Sequence, residues 1–447
     1  MDCDVCIVGG GPAGAVLAAQ LANRGHAVAV IERSAHDDPP RGETLHSGAR
    51  DVLDHLGLTA AIGARPLDRS LVRWGTPSPV ERVFPVPQLA VMRPQLDATL
   101  LDLARAAGAR VLQPARARRA NLGDAGWTIE IEHSPPVRAR YLVDASGRSR
   151  WMRGVRTRTS ERTFAMRGMW CGDHLPSESR VEALDDGWIW GAPVGPGWYA
   201  AVVVVDPAPD LSASRYTAAL RASQLFRELP SHASPAPGFA VCDTTSHAPP
   251  AGCADRLIRI GDASYSLDPL SSAGLHTALG SALHATAALH TLLLHPDRTP
   301  IVEQFYEDAR RAEMLRHTTW SSALYATGGS IEHACWQRRA RSVPIALAFV
   351  AFDPSCTHVA LAPEVVLEDV PCIANDEIEM RPGVRRSPDR SFVWSDGILV
   401  APLLATLRSG PQTPHALIAS WHDVSLARRR TLLASLLSSG VVVPVHG

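Results

Sequence analysis

Asp2-Cys3-Asp4-Val5-Cys6-Ile7-Val8-Gly9-Gly10-Gly11-Pro12-Ala13-Gly14 is the stretch that decides the fold. Asp2 to Val8 is short and apolar enough for a buried strand, and Gly9, Gly11 and Gly14 supply the G-x-G-x-x-G spacing. Ala15 to Arg24 predicts a helix, Ala27 to Ile31 a second strand, and Glu32 closes the unit. Each part has a physical task. Gly9 allows the tight turn, Gly11 lets the backbone approach a pyrophosphate, and Gly14 lets helix and strand pack closely. The helix that starts at Pro12 offers unpaired N–H groups, Ala13's being the first because proline has none, and the positive dipole end to phosphates. Glu32 sits where an acid binds ribose hydroxyls, and its charge repels the extra phosphate of NADP. With Arg33 beside it, this completes the candidate nucleotide-binding set at the N-terminal end.

At 447 residues the chain is expected to form two or three domains. A net charge of −1 gives the whole chain no basic field for nucleic acid or anionic lipid. No apolar run is read as membrane-spanning, and the immediate entry into a strand predicts no signal peptide, hence a cytoplasmic location. Of eight cysteines, Cys3-x-x-Cys6 has the spacing of a metal or redox pair. Its place on the first buried strand, with no matching pair elsewhere, predicts apolar packing and no metal site.

Which dinucleotide is bound is decided downstream. Leu257 to Ile260 predicts a short strand, followed by Gly261-Asp262-Ala263, then Asp268-Pro269-Leu270-Ser271-Ser272-Ala273-Gly274-Leu275 and a long apolar helix. Leu142 to Ser149 and Arg93 with Leu96-Asp97 occur earlier, in the corresponding order. These motifs resemble those of the FAD-dependent monooxygenases of the aromatic hydroxylase and flavin halogenase superfamily, over roughly residues 1 to 330. The resemblance implies FAD as cofactor, with Asp262 on the ribityl chain and Arg93 touching the cofactor. Pro269, Ser272, Ala273, Gly274 and Leu275 then open a helix toward the flavin ring. It implies a C4a-hydroperoxide formed from reduced FAD and molecular oxygen as the hydroxylating agent. Electrons would come from NAD(P)H or a separate flavin reductase.

The sequence contains no lysine; all 44 basic residues are arginine. Trp188-Ile189-Trp190-Gly191-Ala192-Pro193 resembles the W-x-W-x-x-P pattern of flavin halogenases, with alanine where they usually carry isoleucine. Halogenation in that family depends on an active-site lysine, which arginine replaces poorly because it holds its proton too tightly. The reading therefore moves to oxygenase. Trp188 and Trp190 face the same side of a strand. Packing alone explains that, as does a place in the substrate pocket.

The expected fold class is α/β: a Rossmann-type FAD-binding domain of the aromatic hydroxylase type, an antiparallel-sheet substrate domain and a small C-terminal domain. The first draws on residues 1–58, 90–160 and 250–330, and the second on 59–89 and 161–249. Connecting helices are expected at 331–360 and a partner-docking domain at 361–447. Strand-like pieces at Ser70 to Trp74, Thr163 to Cys171, Trp188 to Ala192 and Tyr199 to Val205 build the sheet, and Pro77, Pro79, Pro85 and Pro87 mark a break.

Asp268-Pro269-Leu270-Ser271-Ser272-x-Gly274 and Arg41-Gly42-Glu43-Thr44-Leu45 are similar to those of a narrower group, flavoproteins that mature quinone cofactors made from side chains. That resemblance implies dihydroxylation of a peptidyl tryptophan during tryptophylquinone biogenesis in quinohemoprotein amine dehydrogenase. The partner would be a small crosslinked protein substrate, with its maturation enzyme as a further partner, and Arg41 to Thr44 would form a loop against the cofactor. Glu43 or His46 would take or relay a proton from the ring, or Glu43 orders the loop and His46 caps it or faces solvent. The alternatives are a small-molecule indole or phenol hydroxylase, a halogenase-like flavoprotein without halogenase activity, an isoprenoid double-bond reductase and a non-catalytic flavin-bound scaffold.

Overall fold

The computed structural model describes residues 1–35, 39–45, 47–149, 151–152, 154–328, 333–340, 357–387 and 390–445. The chain divides into two compact units, one of residues 1–289 with 314–344, the other of residues 290–313 with 345–447. His46 lies outside the described residues, as does most of 331–360, where the helix Ala334–Ala340 is described.

Among the described residues, the larger unit holds two large sheets and one small two-stranded sheet, Thr157–Arg158 with His247–Ala248. In the first, Asp2–Val8 pairs in parallel with Val28–Ile31 on one side and Ser134–Asp144 on the other. Arg110–Leu112 and Leu257–Arg259 extend it in parallel at the two flanks. Strands on both sides of Asp2–Val8 leave a crevice at its carboxyl end, the place where open α/β sheets bind ligands. Valine, isoleucine and cysteine suit a strand covered on both faces, and Val5, Cys6 and Ile7 are fully buried. Burial pushes the Cys3 thiol up to about 11 and that of Cys6 well above its ordinary value, so neither is disposed to ligate as thiolate.

The second sheet has nine strands and is antiparallel except where Ser179–Ala183 runs parallel to Arg65–Arg73. Its centre is Phe164–Cys171, Trp198–Val205 and Gly187–Gly195, laid side by side. Alternation sorts the two faces. Ile189, Met166, Trp170 and Tyr199 build one core, whereas Trp188 joins Leu270, Tyr325 and Trp336 on the other side. Two expectations need correction. Pro85 and Pro87 do not break the chain: they sit inside the strand Val80–Met92, in the register shift between Val83 and Gln88. The missing proline N–H groups interrupt no ladder there. The expected loop at Arg41 to Leu45 is a strand, Gly42–Leu45, paired with Leu89–Met92.

The smaller unit has its own core of Val359, Leu404, Leu417, Trp421, Leu432, Leu433, Leu436 and Leu437. Its hairpin, Val366–Ala374 with Glu377–Ser387, turns on Asn375 and Asp376. Both have positive φ (51° and 68°), as a two-residue hairpin turn requires. Of the arginine run, Arg428 binds Asp396, and Arg429 donates to the carbonyls of Ile418, His422 and Val424.

Among the described residues one helix, Gly274–Leu294, is long and apolar enough to cross a membrane, contrary to the reading of the sequence. However, 67% of its apolar window is buried inside the protein.

Candidate functional site

At the crevice, the glycine turn is shaped by what cannot be added to it. Gly9 has φ +112°, and a Cβ there would fall 2.3 Å from the Ala145 carbonyl oxygen. A Cβ on Gly14 would fall 2.0 Å from the Gly9 carbonyl oxygen. Gly11 differs: a Cβ there would meet nothing within 4 Å. The turn is closed on its protein side and open above Gly11, where the helix Pro12–Asn23 begins. That space and those free N–H groups fit a pyrophosphate. Glu32 is tied in place by the N–H groups of Gly10 (2.5 Å) and Ser34 (2.7 Å), at the end of the second strand. Arg33 beside it is exposed.

A second feature is a cavity of about 280 Å³ between the sheet and the nucleotide-binding part of the same unit. One wall is Arg41 to Thr44, Asp262, Pro269 and Ser271 to Leu275; the other is Arg167, Met169, Trp188, Trp190 and Ala200 to Val202. Most of the candidate residues from distant parts of the sequence therefore meet around one space. Gly9 to Gly14, Glu32 and Arg33 gather at the crevice, outside its lining. Ser272 has φ +48°, a left-handed conformation rare for serine, just before the long helix. Ala273 is buried among Ala248, Tyr265 and Leu267, which accounts for a small residue there. Ala192 is fully buried against Leu67, Ala90 and Val194.

The charged candidates are mutually engaged. Glu43 accepts from Arg93 at 2.7 Å, and Arg93 also holds Asp97 at 3.0 Å. Arg41 reaches the same aspartate at 3.3 Å. Burial disfavours the Arg93 charge, but Glu43 and Asp97 outweigh it and hold its proton above the ordinary value. Arg93 thus sits behind the cavity wall rather than in it. Glu43 is positioned by this pair, which suits ordering of the segment.

The sequence reading gave no role to three residues that shape the site. Arg148 grips Asp262 at 3.1 Å and the Leu267 carbonyl at 3.1 Å, tying the two downstream motifs together. Asp268 is partly buried, and desolvation pushes its carboxyl above its ordinary value against the pull of the Leu270 N–H, Tyr325, Arg339 and Arg148. Tyr325 donates to it at 3.0 Å, and the Trp188 indole N–H donates to Tyr325 at 3.3 Å. Arg148 and Asp268 lie inside quoted motifs and were legible as candidates. Tyr325, in mid-helix, carries no local signal.

Residues 2–184 match the family model described as FAD binding domain. Tryptophan 2-halogenase of Chondromyces crocatus is 26% identical over 367 residues, covering 74% of this chain and 69% of that protein. Among solved structures, a peptidyl tryptophan dihydroxylase essential for tryptophylquinone cofactor biogenesis, QhpG, superposes with a TM-score of 0.76 at 25% identity. The match covers 98% of this chain and 100% of that one. The flavin-dependent halogenase CmlS has a TM-score of 0.84 at 20% identity, covering 100% and 96%. FAD fits the residues present: an open pyrophosphate cradle over Gly11, a fixed acid at Glu32, and a cavity reached by Asp262 and the Pro269–Leu275 segment. Residues 2–184 are an FAD binding domain, and the chain as a whole is similar to flavin-dependent halogenases and to a peptidyl tryptophan dihydroxylase.

Proposed function

We propose that this flavoprotein is a monooxygenase that hydroxylates the indole ring of a protein-borne tryptophan, in the manner of tryptophylquinone cofactor biogenesis. The observation that carries this reading is the end-to-end likeness to the peptidyl tryptophan dihydroxylase, which extends through the C-terminal unit. The absence of lysine supports oxygenation over halogenation, although halogenases are prominent among the relatives.

Bound FAD, once reduced, supplies the activation of dioxygen for transfer of one oxygen atom to an electron-rich ring. The chain's own residues do the rest. Trp188, Trp190 and Val202 give the ring an apolar wall that keeps water out. The N–H groups at the start of Gly274–Leu294 stabilise negative charge facing them. Glu43, held by Arg93, orders the opposite wall rather than moving a proton. His46 is retained as a candidate for proton relay. The partner in this reading is a small crosslinked protein that presents its tryptophan to the cavity, with residues 361–447 as docking domain. The reaction also draws on molecular oxygen, with NAD(P)H or a flavin reductase as electron source.

The test is product analysis on a tryptophan peptide with FAD, a flavin reductase, NADH and excess bromide. Hydroxylated and not brominated tryptophan supports the reading; brominated tryptophan overturns it. A small-molecule hydroxylase would instead convert free indole and leave the peptide untouched.

A further inference from the structure

The charges lining the cavity are satisfied with one exception. Arg41 is held by Asp97, Arg148 by Asp262, Glu43 by Arg93 and Asp268 by Tyr325. Arg167, also in the lining, has no hydrogen-bond or ion-pair partner among the described residues. It is partly buried, on the strand Phe164–Cys171. The register fixes its surroundings. Arg167 lies opposite Val202, and Val202 lies opposite Trp190. All three line the cavity, so Arg167 and Trp190 share a face across two strand spacings, about 10 Å.

A cation in a partly desolvated wall is costly unless an anion completes it. The acids of this lining are all engaged elsewhere. The crevice that fits a pyrophosphate is formed by Gly9 to Gly14, and none of these residues lines the cavity. A guanidinium is a planar fork that matches a carboxylate with two parallel hydrogen bonds. We infer that Arg167 is a carboxylate-recognising subsite, selecting substrates whose aromatic ring lies along Val202 and Trp190 and whose acid group reaches Arg167. This rests on the reading of the cavity as the aromatic-substrate site. The carboxylate belongs either to a free aromatic acid or to an aspartate or glutamate beside the tryptophan in a polypeptide.

Calorimetric titration of the oxidised, FAD-loaded protein tests this without turnover, so its outcome is separate from that of the oxygenation reading. The ligands are indole, indole-3-acetate, and two tryptophan peptides that differ only in aspartate or asparagine next to the tryptophan. Within at least one pair, the acid is expected to bind about tenfold tighter than its neutral counterpart. The preference should disappear in Arg167→Gln, with the neutral ligand bound as before, and survive in part in Arg167→Lys. A preference confined to indole-3-acetate identifies a free acid as the source; one confined to the aspartate peptide identifies a polypeptide. Absence of any carboxylate-dependent binding, or an equal preference in Arg167→Gln, overturns the inference.

Discussion

Tyr325 donates its hydroxyl to Asp268, 3.0 Å and 3.2 Å from the two carboxylate oxygens, and so ties a helix to the segment that lines the cavity. The Trp188 indole N–H completes the chain from the sheet side, and the Arg339 guanidinium lies 5.6 Å from the Tyr325 ring centroid. Three elements far apart in sequence thus converge on one partly buried carboxyl group.

Because burial raises the Asp268 pKa, the folded chain holds this proton more tightly than the unfolded chain does. The stabilising contribution is complete below the unfolded value, about 3.9, and is lost as pH rises through the folded value. Asp268→Asn removes the titration. The melting temperature of the variant relative to wild type should therefore rise with pH above about 4. A difference that stays flat with pH would show that Asp268 is not perturbed.

Glycine positions at the crevice separate folding from binding. Gly11→Ala places its methyl in open space, so the apoprotein should melt as wild type does while FAD affinity falls at least about tenfold. Gly9→Ala meets the Ala145 carbonyl and a disfavoured φ, costing roughly 1–3 kcal/mol from the backbone alone. Fluorescence titration with FAD and calorimetric melting of both variants check this. Unchanged FAD affinity in Gly11→Ala would place the pyrophosphate elsewhere.

The Arg93 cluster predicts unequal costs. The Asp97 side chain is 7% exposed and serves both Arg93 and Arg41, so Asp97→Asn should cost roughly 3 kcal/mol. The Glu43 side chain is 40% exposed, its pair is screened by solvent, and Glu43→Gln should cost about 0.5–1 kcal/mol. Urea unfolding measures both. If Glu43 only orders the wall, the pH profile of turnover in Glu43→Gln keeps its shape; a lost limb would return the proton role to Glu43.

The crevice was legible because its signals are local: spacing of Gly9, Gly11 and Gly14, and an acid one strand later. The cavity walls were legible in part, since Trp188 and Trp190 announce one face of a strand and the Asp268–Leu275 wording marks the other wall. What escaped is what pairing and packing decide. Pro85 and Pro87 read as a break because sequence does not show that a register shift frees their neighbours from the ladder. Arg167 and Tyr325 drew no notice because their importance lies in cross-strand and helix–loop neighbours, 35 and 57 residues away in sequence at Val202 and Asp268.

The most direct measurement supplies isotopically heavy dioxygen to the FAD-loaded, reductase-driven protein together with a tryptophan peptide, and reads the product by mass spectrometry. The account predicts heavy oxygen in the indole ring. Oxygen taken from water, or consumption of dioxygen with the peptide unchanged and free indole hydroxylated in its place, would contradict it.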